Sequence, residues 1–454
     1  MTTSTAPRQR VLTVALLAIC LGYFLVILDS TIVNAALPAL HRDLRADLAA
    51  LQWVVDGYLV AFATGLLGGG ALGDRLGARR VFLLGLGVFT LSSAACGLAP
   101  NAPVLVAARV AQGLGAALAV PTSLSLLRAE YPERGARARA VGVWGAVAGI
   151  AAGAGPIVGG LLVGGLLVGE ASWRLVFMVN VPLGLLAIVL TRRQVPTPEP
   201  RQGQGFDVTG QLTGALALTG LAYALIEGGH GLSSPVCLAG GLAVLSAAGF
   251  VLAQRRATAR GSTPMLEMRL LRAGTFSGAA LVGLLINLGF FGELFALNLY
   301  LQQARHDSPL RAGLVLLPQM GVVALGSWLS GRHTSRAGGP RPTMLIGLGV
   351  GAAGLFGLAA LLWAGTPGEV TLLVPLVAAG FGMSFTMPAA TTAAADAAPR
   401  DRAGLAAGVL NTARQTGSLI GVAVLGALPG GPGTALLAAG AAFGLAAVIT
   451  ATAV

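Results

Sequence analysis

Four charged side chains sit inside long apolar runs: Asp29, Arg109, Glu293 and Arg414. Each costs at least ~2.5–3.5 kcal/mol to place at the centre of a membrane-spanning helix, so each is a candidate for chemistry. A carboxyl held between a guanidinium and a dry surround can gain and lose a proton as its access to water changes. Asp29 precedes Pro38 by nine residues, and Arg109 follows Pro103 by six. With Pro38 ending one helix and Pro103 starting another on the same side, ~1.5 Å per residue puts both charges ~9–14 Å below that side. The pair is expected to couple protons, with a purely structural hydrogen-bonding role for Asp29 as the alternative.

Glu293 lies in Phe290-Phe291-Gly-Glu293-Leu-Phe295, where aromatic rings suit an amphipathic or cationic substrate and the carboxylate suits a second proton site. Its alternative is packing against another polar helix residue such as Arg414. Arg414, near the middle of its run, fits a structural role better than contact with substrate. Tyr23, Phe24, Asn34, Gln112, Phe291 and Arg414 are the candidates to line a central substrate cavity. Asp56 and Glu227 lie near the ends of their runs and are expected to be solvated.

The elements that must position these residues are helices in lipid. The chain has 454 residues, of which 55% are apolar and only 10% charged, with a mean hydropathy of +0.80. A soluble protein of that composition could not cover its surface with polar groups. A span needs about 20 apolar residues. Fourteen are predicted, over 11–37, 51–72, 80–100, 103–127, 139–164, 173–191, 208–229, 235–254, 274–301, 311–331, 342–364, 370–394, 403–428 and 433–453. The longest gaps, 192–207 and 255–273, leave no room for a soluble catalytic domain. The expected fold is an all-α integral membrane protein. Residues 1–191 would form one six-helix bundle, 192–273 linkers and two inserted helices, and 274–454 a second six-helix bundle.

The net charge is +12, and all 29 basic residues are arginines. With the chain starting on one side, the tail and the even-numbered loops hold 22 of them, from Arg8 and Arg10 to Arg400 and Arg402; the other loops hold Arg42, Arg45, Arg174, Arg305 and Arg311. This asymmetry fits the basic cytoplasmic side of a membrane protein, with both termini cytoplasmic, and argues against a nucleic-acid partner. Cys20, Cys96 and Cys237 have unrelated spacings, and His41, His230, His306 and His333 show no metal-ligand pattern. Gly347-Leu-Gly349-Val-Gly351 lies within a span with no strand before it, and no nucleotide-binding P-loop is found. No enzyme reading survives.

An internal repeat follows the second and tenth spans. Gly70-Ala-Leu-Gly-Asp74-Arg75-Leu-Gly77-Ala-Arg79-Arg80 returns 261 residues on as Gly331-Arg-His-Thr-Ser335-Arg336-Ala-Gly338-Gly-Pro340-Arg341. Gly, Arg, Gly and the final Arg keep their spacing across eight intervening helices, as two six-helix halves separated by two helices require.

The first copy resembles the GxxxDRxGxRR loop of the major facilitator superfamily. Leu28-Asp29-Ser-Thr31-Ile-Val-Asn34-Ala-Ala-Leu37-Pro38 resembles the first-helix signature of its fourteen-helix drug:proton antiporter family. Arg109-Val-Ala-Gln112-Gly113-Leu-Gly115 is similar to the family's fourth-helix motif, and Gly145, Gly149, Gly155-Pro156 and Gly159-Gly160 to its antiporter motif. Ser172-Trp173-Arg174…Asn180-Val-Pro182-Leu-Gly184, Ser308-Pro309-Leu-Arg-Ala-Gly313 and Asn411-Thr-Ala-Arg414-Gln415 extend the likeness over most of the chain.

The resemblance implies a proton-coupled antiporter that exports lipophilic or cationic drugs or antibiotics across a bacterial inner membrane by alternating access. It would be driven by the proton gradient without a cofactor, act as a monomer, and have only the bilayer, protons and small substrates as partners. Asp29 and Arg109 would couple protons. Gly70, Asp74, Arg75, Gly77, Arg79 and Arg80 would latch the halves, and Gly155-Pro156 would restrict leak. A dedicated exporter of one metabolite or self-made antibiotic, and a non-transporting receptor on the same scaffold, are the alternatives.

Overall fold

The computed structural model describes residues 13–164, 172–197, 207–229, 231–260, 272–397 and 403–454. Arg8, Arg10, Arg201, His230, Arg269, Arg400 and Arg402 lie outside the described residues. Helices α1 (Val14–Leu44), α2 (Leu48–Leu76), α3 (Ala78–Gly97), α4 (Ala102–Glu130) and α5 (Arg134–Val163) open the chain. They are followed by α6 (Arg174–Gln194, interrupted at Val179), α7 (Val208–Gly228) and α8 (Ser234–Ala259). The last six are α9 (Gly274–Leu299), α10 (Pro309–Arg336), α11 (Pro340–Ala364), α12 (Glu369–Ala397), α13 (Ala403–Ala427) and α14 (Gly431–Ala453).

Polar caps at the start of several helices satisfy backbone N–H groups that have no helical partner. Thr13 accepts from Leu16 N at 3.1 Å, Asp47 from Ala50 N at 2.8 Å, and Asn101 from Val104 N at 3.0 Å. Among the described residues, thirteen helices are long and apolar enough to cross a bilayer. The exception, α13, carries Asn411, Thr412, Arg414, Gln415, Thr416 and Ser418 in its middle, and it lies in the protein interior rather than against lipid alone. Its polar side chains turn to their own helix there: Arg414 Nη1 donates to Asn411 Oδ1 and Ser418 Oγ to Arg414 O, both at 3.2 Å. One boundary departs from expectation: Pro38 lies inside α1, which runs on to Leu44. Proline removes one backbone hydrogen bond, and the buried packing of Ala35, Ala36, Leu37 and Leu40 holds the helix together across it.

Helix packing repeats with an internal symmetry. α1 packs on α5, α4 and α6, α2 on α4, and α3 on α4 and α6. In the same way α9 packs on α13, α12 and α14, α10 on α12, and α11 on α12 and α14. Two seams join these groups and are themselves equivalent: α5 against α10, and α2 against α13. α7 and α8 pair with each other, and α7 lies on α2 and α13.

Successive helices reverse direction, so the turns fall on two faces. The α2–α3 turn is a single residue, Gly77, at φ +94°, and its repeat mate Gly338 has φ +73°. Both turns need the left-handed backbone that glycine adopts without strain. This face also carries Arg75, Arg79, Arg80, Arg128, Arg192, Arg193, Arg255, Arg256, Arg332, Arg336 and Arg341 at helix ends, and is called the arginine face below.

Candidate functional site

Asp29 is fully buried at the middle of α1, and five helices converge on it. Its Oδ2 pairs with Arg109 Nη1 of α4. Its Oδ1 accepts from Gln112 Nε2 of α4 at 2.9 Å and from Asn180 Nδ2 of α6 at 2.8 Å. Ser93 Oγ of α3 accepts from the same two amides, each at 3.0 Å, and donates to Phe177 O at 3.1 Å. Arg109 donates further to Val54 O of α2 at 2.9 Å and to Gln112 Oε1 at 2.7 Å, and its guanidinium lies 4.3 Å from the centre of the Tyr58 ring. Every group facing the carboxyl is an N–H donor, the complement of an acceptor-only carboxylate.

The local sequence explains the reach of Asn180. Pro182 has no N–H to offer the Met178 carbonyl four residues back, and α6 breaks at Val179. The break sets Asn180 at the start of a new helical stretch, aimed at α1. Asn180 and Ser93 were not singled out as site residues from sequence. Asn180 stands in the Asn180-Val-Pro182 segment that carries part of the family likeness, whereas Ser93 has no local signal at all.

The expected pairing of Asp29 with Arg109 is thus present in the structure, and Gln112 joins it. Gln112 is fully buried in this network and does not line a cavity. Asn34 is corrected in the same way: it is buried, and its amide returns to Thr31 O of its own helix at 3.3 Å. Tyr23, Phe24, Phe291 and Arg414 are half-buried. Tyr23 stacks on Trp144 with ring centres 3.8 Å apart, and Phe291 packs against the apolar cores of both halves.

Glu293 is buried in α9, away from the Asp29 network. Its Oε1 accepts from Gln319 Nε2 of α10 at 3.0 Å. Arg414 does not meet it, and its Nη1 donates instead to Asn411 Oδ1 at 3.2 Å. Asp56 overturns a sequence expectation: it is fully buried, and neither carboxyl oxygen has a hydrogen-bond partner. It lies one helical turn after Gln52, whose Nε2 crosses to Val422 O at 3.3 Å and Ala423 O at 3.1 Å on α13. Distance from the helix end suggested solvation, but the neighbouring half covers that side of α2. Glu227 is half-buried and accepts from Trp53 Nε1 at 3.3 Å.

The two halves meet closely at the face opposite the arginines. There Gln52 reaches α13, Gln302 Nε2 donates to Ala35 O at 3.3 Å, and Phe295, Leu419 and Val422 join the core of the first half. Along the α5–α10 seam the gap widens steadily. A Cβ at Gly160 would lie 2.6 Å from Leu310 Cα, one at Gly153 3.5 Å from Met320 Cβ, and one at Gly149 3.9 Å from Val323 Cγ1. At Gly145 and Gly142 it would meet nothing within 4 Å. Among the described residues, this seam is in contact near the face opposite the arginines and opens toward the arginine face.

The sequence profile described as Major Facilitator Superfamily matches residues 19–422. The chain belongs to this superfamily. It is 37% identical over 443 residues to the methylenomycin A resistance protein of Bacillus subtilis (strain 168), covering 96% of this chain and 92% of that one. It is also 37% identical to the multidrug resistance protein Stp of Mycobacterium tuberculosis (strain CDC 1551 / Oshkosh), covering 91% of this chain and 75% of the other. Among solved structures, that of a D-xylose–proton symporter superposes with a TM-score of 0.68 over 97% of both chains at 16% identity, a likeness of fold.

The superfamily loop motif occupies the arginine face. Gly70 sits over Pro121, where a Cβ would lie 3.7 Å from its Cβ, while Arg75 and Arg80 are exposed and Asp74 is half-buried. Arg79 donates to Thr197 Oγ1 and Arg192 O, both at 2.5 Å, so in this conformation it ties α3 to the end of α6 within its own half. Gly155-Pro156 stands where α1, α5 and α10 meet. A Cβ at Gly155 would overlap Thr31 of α1, and one at Gly313 would overlap the Pro156 carbonyl. These contacts require close approach and leave no room for a side chain.

Proposed function

We propose that this protein is a proton-driven exporter of lipophilic or cationic drugs or antibiotics in a bacterial plasma membrane. The arginine face is then cytoplasmic, and the conformation is the one that receives substrate from inside. The observation that carries the reading is Asp29 at the centre of five helices of one half, in a protein sealed at a single face. Protonating Asp29 replaces an acceptor with an O–H donor in a shell of N–H donors, so at least one bond must be given up and the helices must repack. That links proton occupancy to the arrangement of the half, and alternating access follows as the halves rock about the two seams. Release of the proton toward the cytoplasm resets the network. Glu293, with an amide as its described partner, supplies a second carboxyl on the substrate path, beside Phe290 and Phe291. The methylenomycin A and multidrug resistance relatives support drugs or antibiotics as cargo. The methylenomycin A resistance relative favours a second reading, export of a single antibiotic by the same cycle.

The test uses purified protein in proteoliposomes with an imposed pH gradient and a trapped pH dye. A panel of lipophilic cations and antibiotics should trigger proton release in wild type and none in Asp29→Asn. Release in both proteins would move coupling away from Asp29 and toward Glu293. Silence in both would refute proton-coupled export of this substrate class.

A further inference from the structure

The two seams between the halves are equivalent by the internal repeat, yet they are not equally covered. α7 lies across α2 and α13. Ile226 is fully buried there with Ala49 and Ala423, and Gln211 Nε2 donates to Thr64 O further along α2. The α5–α10 seam has no such helix laid over its lipid side among the described residues. α5 packs otherwise on α1, α4 and α6, and α10 on α11, α12 and α1. Its flanks are exposed instead: Ala146 and Ile150 on α5, Ala324 and Trp328 on α10, with Ile150 61% and Trp328 56% accessible. Helical spacing puts Ala146 and Ile150 to one side of the Gly142, Gly145, Gly149 and Gly153 stripe that faces the gap.

The gap itself widens toward the arginine face, from contact at Gly160 to open space at Gly145. Behind it lies Trp144, stacked on Tyr23 of α1 and donating from Nε1 to Ser123 Oγ of α4 at 3.2 Å. A molecule dissolved in the arginine-side leaflet therefore meets an apolar rim, a seam that widens toward the arginine face, and an aromatic pair behind it. On the opposite side it meets α7.

We propose that the α5–α10 seam is a lateral portal through which lipophilic substrate passes from the leaflet into the interior, and that the inserted helices α7 and α8 close the equivalent route at α2–α13. The proposal rests on the exporter reading above. It makes the inserted pair a device that gives the protein one membrane-facing opening instead of two.

The experiment measures binding kinetics of rhodamine 6G, a lipophilic fluorescent cation, to full-length protein in nanodiscs. Cys237 is the exposed native cysteine and is replaced by Ser, while Cys20 and Cys96 are buried and kept. A single cysteine is introduced as Ala324→Cys at the rim or Leu216→Cys on the lipid face of α7, and each is coupled to pyrene maleimide. At the rim the label should slow association and dissociation together, by about tenfold, and leave Kd unchanged, because a route alters both rates alike. At position 216 it should change neither. Unchanged rates with the rim label, equal slowing by the α7 label, or a shift in Kd without matched rates would each overturn the portal. Wild type that binds no rhodamine 6G would instead refute the lipophilic-substrate reading beneath it.

Discussion

The Asp29–Arg109 pair allows a quantitative test of how the buried network holds the first half together. In Asp29→Asn the remaining oxygen keeps the bonds from Gln112 and Asn180, but the new amide turns N–H groups toward Arg109 Nη1. The guanidinium keeps Val54 O and Gln112 Oε1 and loses its counter-charge. Removing one partner of a buried ion pair costs about 3–5 kcal/mol, because the other charge stays buried without compensation. Arg109→Gln should cost as much, since it leaves the carboxylate with amide donors alone. The double variant removes both charges, so its loss should fall short of the sum by about 2–3 kcal/mol, the coupling expected of residues in one network. Reversible unfolding in mixed micelles, titrated with sodium dodecyl sulfate, gives the three values. Additivity within about 0.5 kcal/mol would refute the account of the network as a single mutually compensated unit. All three variants should lose substrate-triggered proton release, so stability and transport are read separately.

Three further outcomes are expected. Glu293→Gln keeps an acceptor for Gln319 Nε2, so unfolding should shift by less than about 1 kcal/mol, one ordinary hydrogen bond, while coupled proton release falls. Gly313→Val would drive a side chain into the Pro156 carbonyl, and Leu310→Cys in that background should become reactive to a water-soluble maleimide added on the face opposite the arginines. Gln52→Leu removes the two bonds to Val422 O and Ala423 O, about 0.5–1.5 kcal/mol each, and spin labels at Ala46 and Leu428 should report a wider distance distribution.

The helices were legible because lipid demands long apolar runs, a signal that is local and compositional. The meeting of Asp29 with Arg109 was legible because depth along a helix follows from residue counts, and it held although α1 continues past Pro38. Asp56 was misread for the same reason: depth is visible in sequence, but the covering of α2 by α13 is a tertiary fact. Ser93 and Asn180 are small polar residues whose partners lie far off in the chain, and nothing near either of them marks the choice of partner. Glu293 was recognised as unusual, yet its partner proved to be Gln319 and not Arg414, because helical phase decides which side a residue faces and a boundary error of two residues turns it by about 200°.

The network around Asp29 stitches α1, α2, α3, α4 and α6 at mid-height, which makes the first half a stiff lever with its fulcrum near the membrane centre. α1 has 31 residues, about 46 Å at ~1.5 Å per residue, so each arm is about 23 Å long. A rotation of about 15°, typical of rigid-body switching, swings the tip of such an arm by about 6 Å. That travel is enough to part the helices at one face and bring them together at the other, while the carboxyl at the pivot scarcely moves. On the proposed cycle, a proton bound at the fulcrum would change the bonding at a point of small displacement and would be read out as large displacement at both ends.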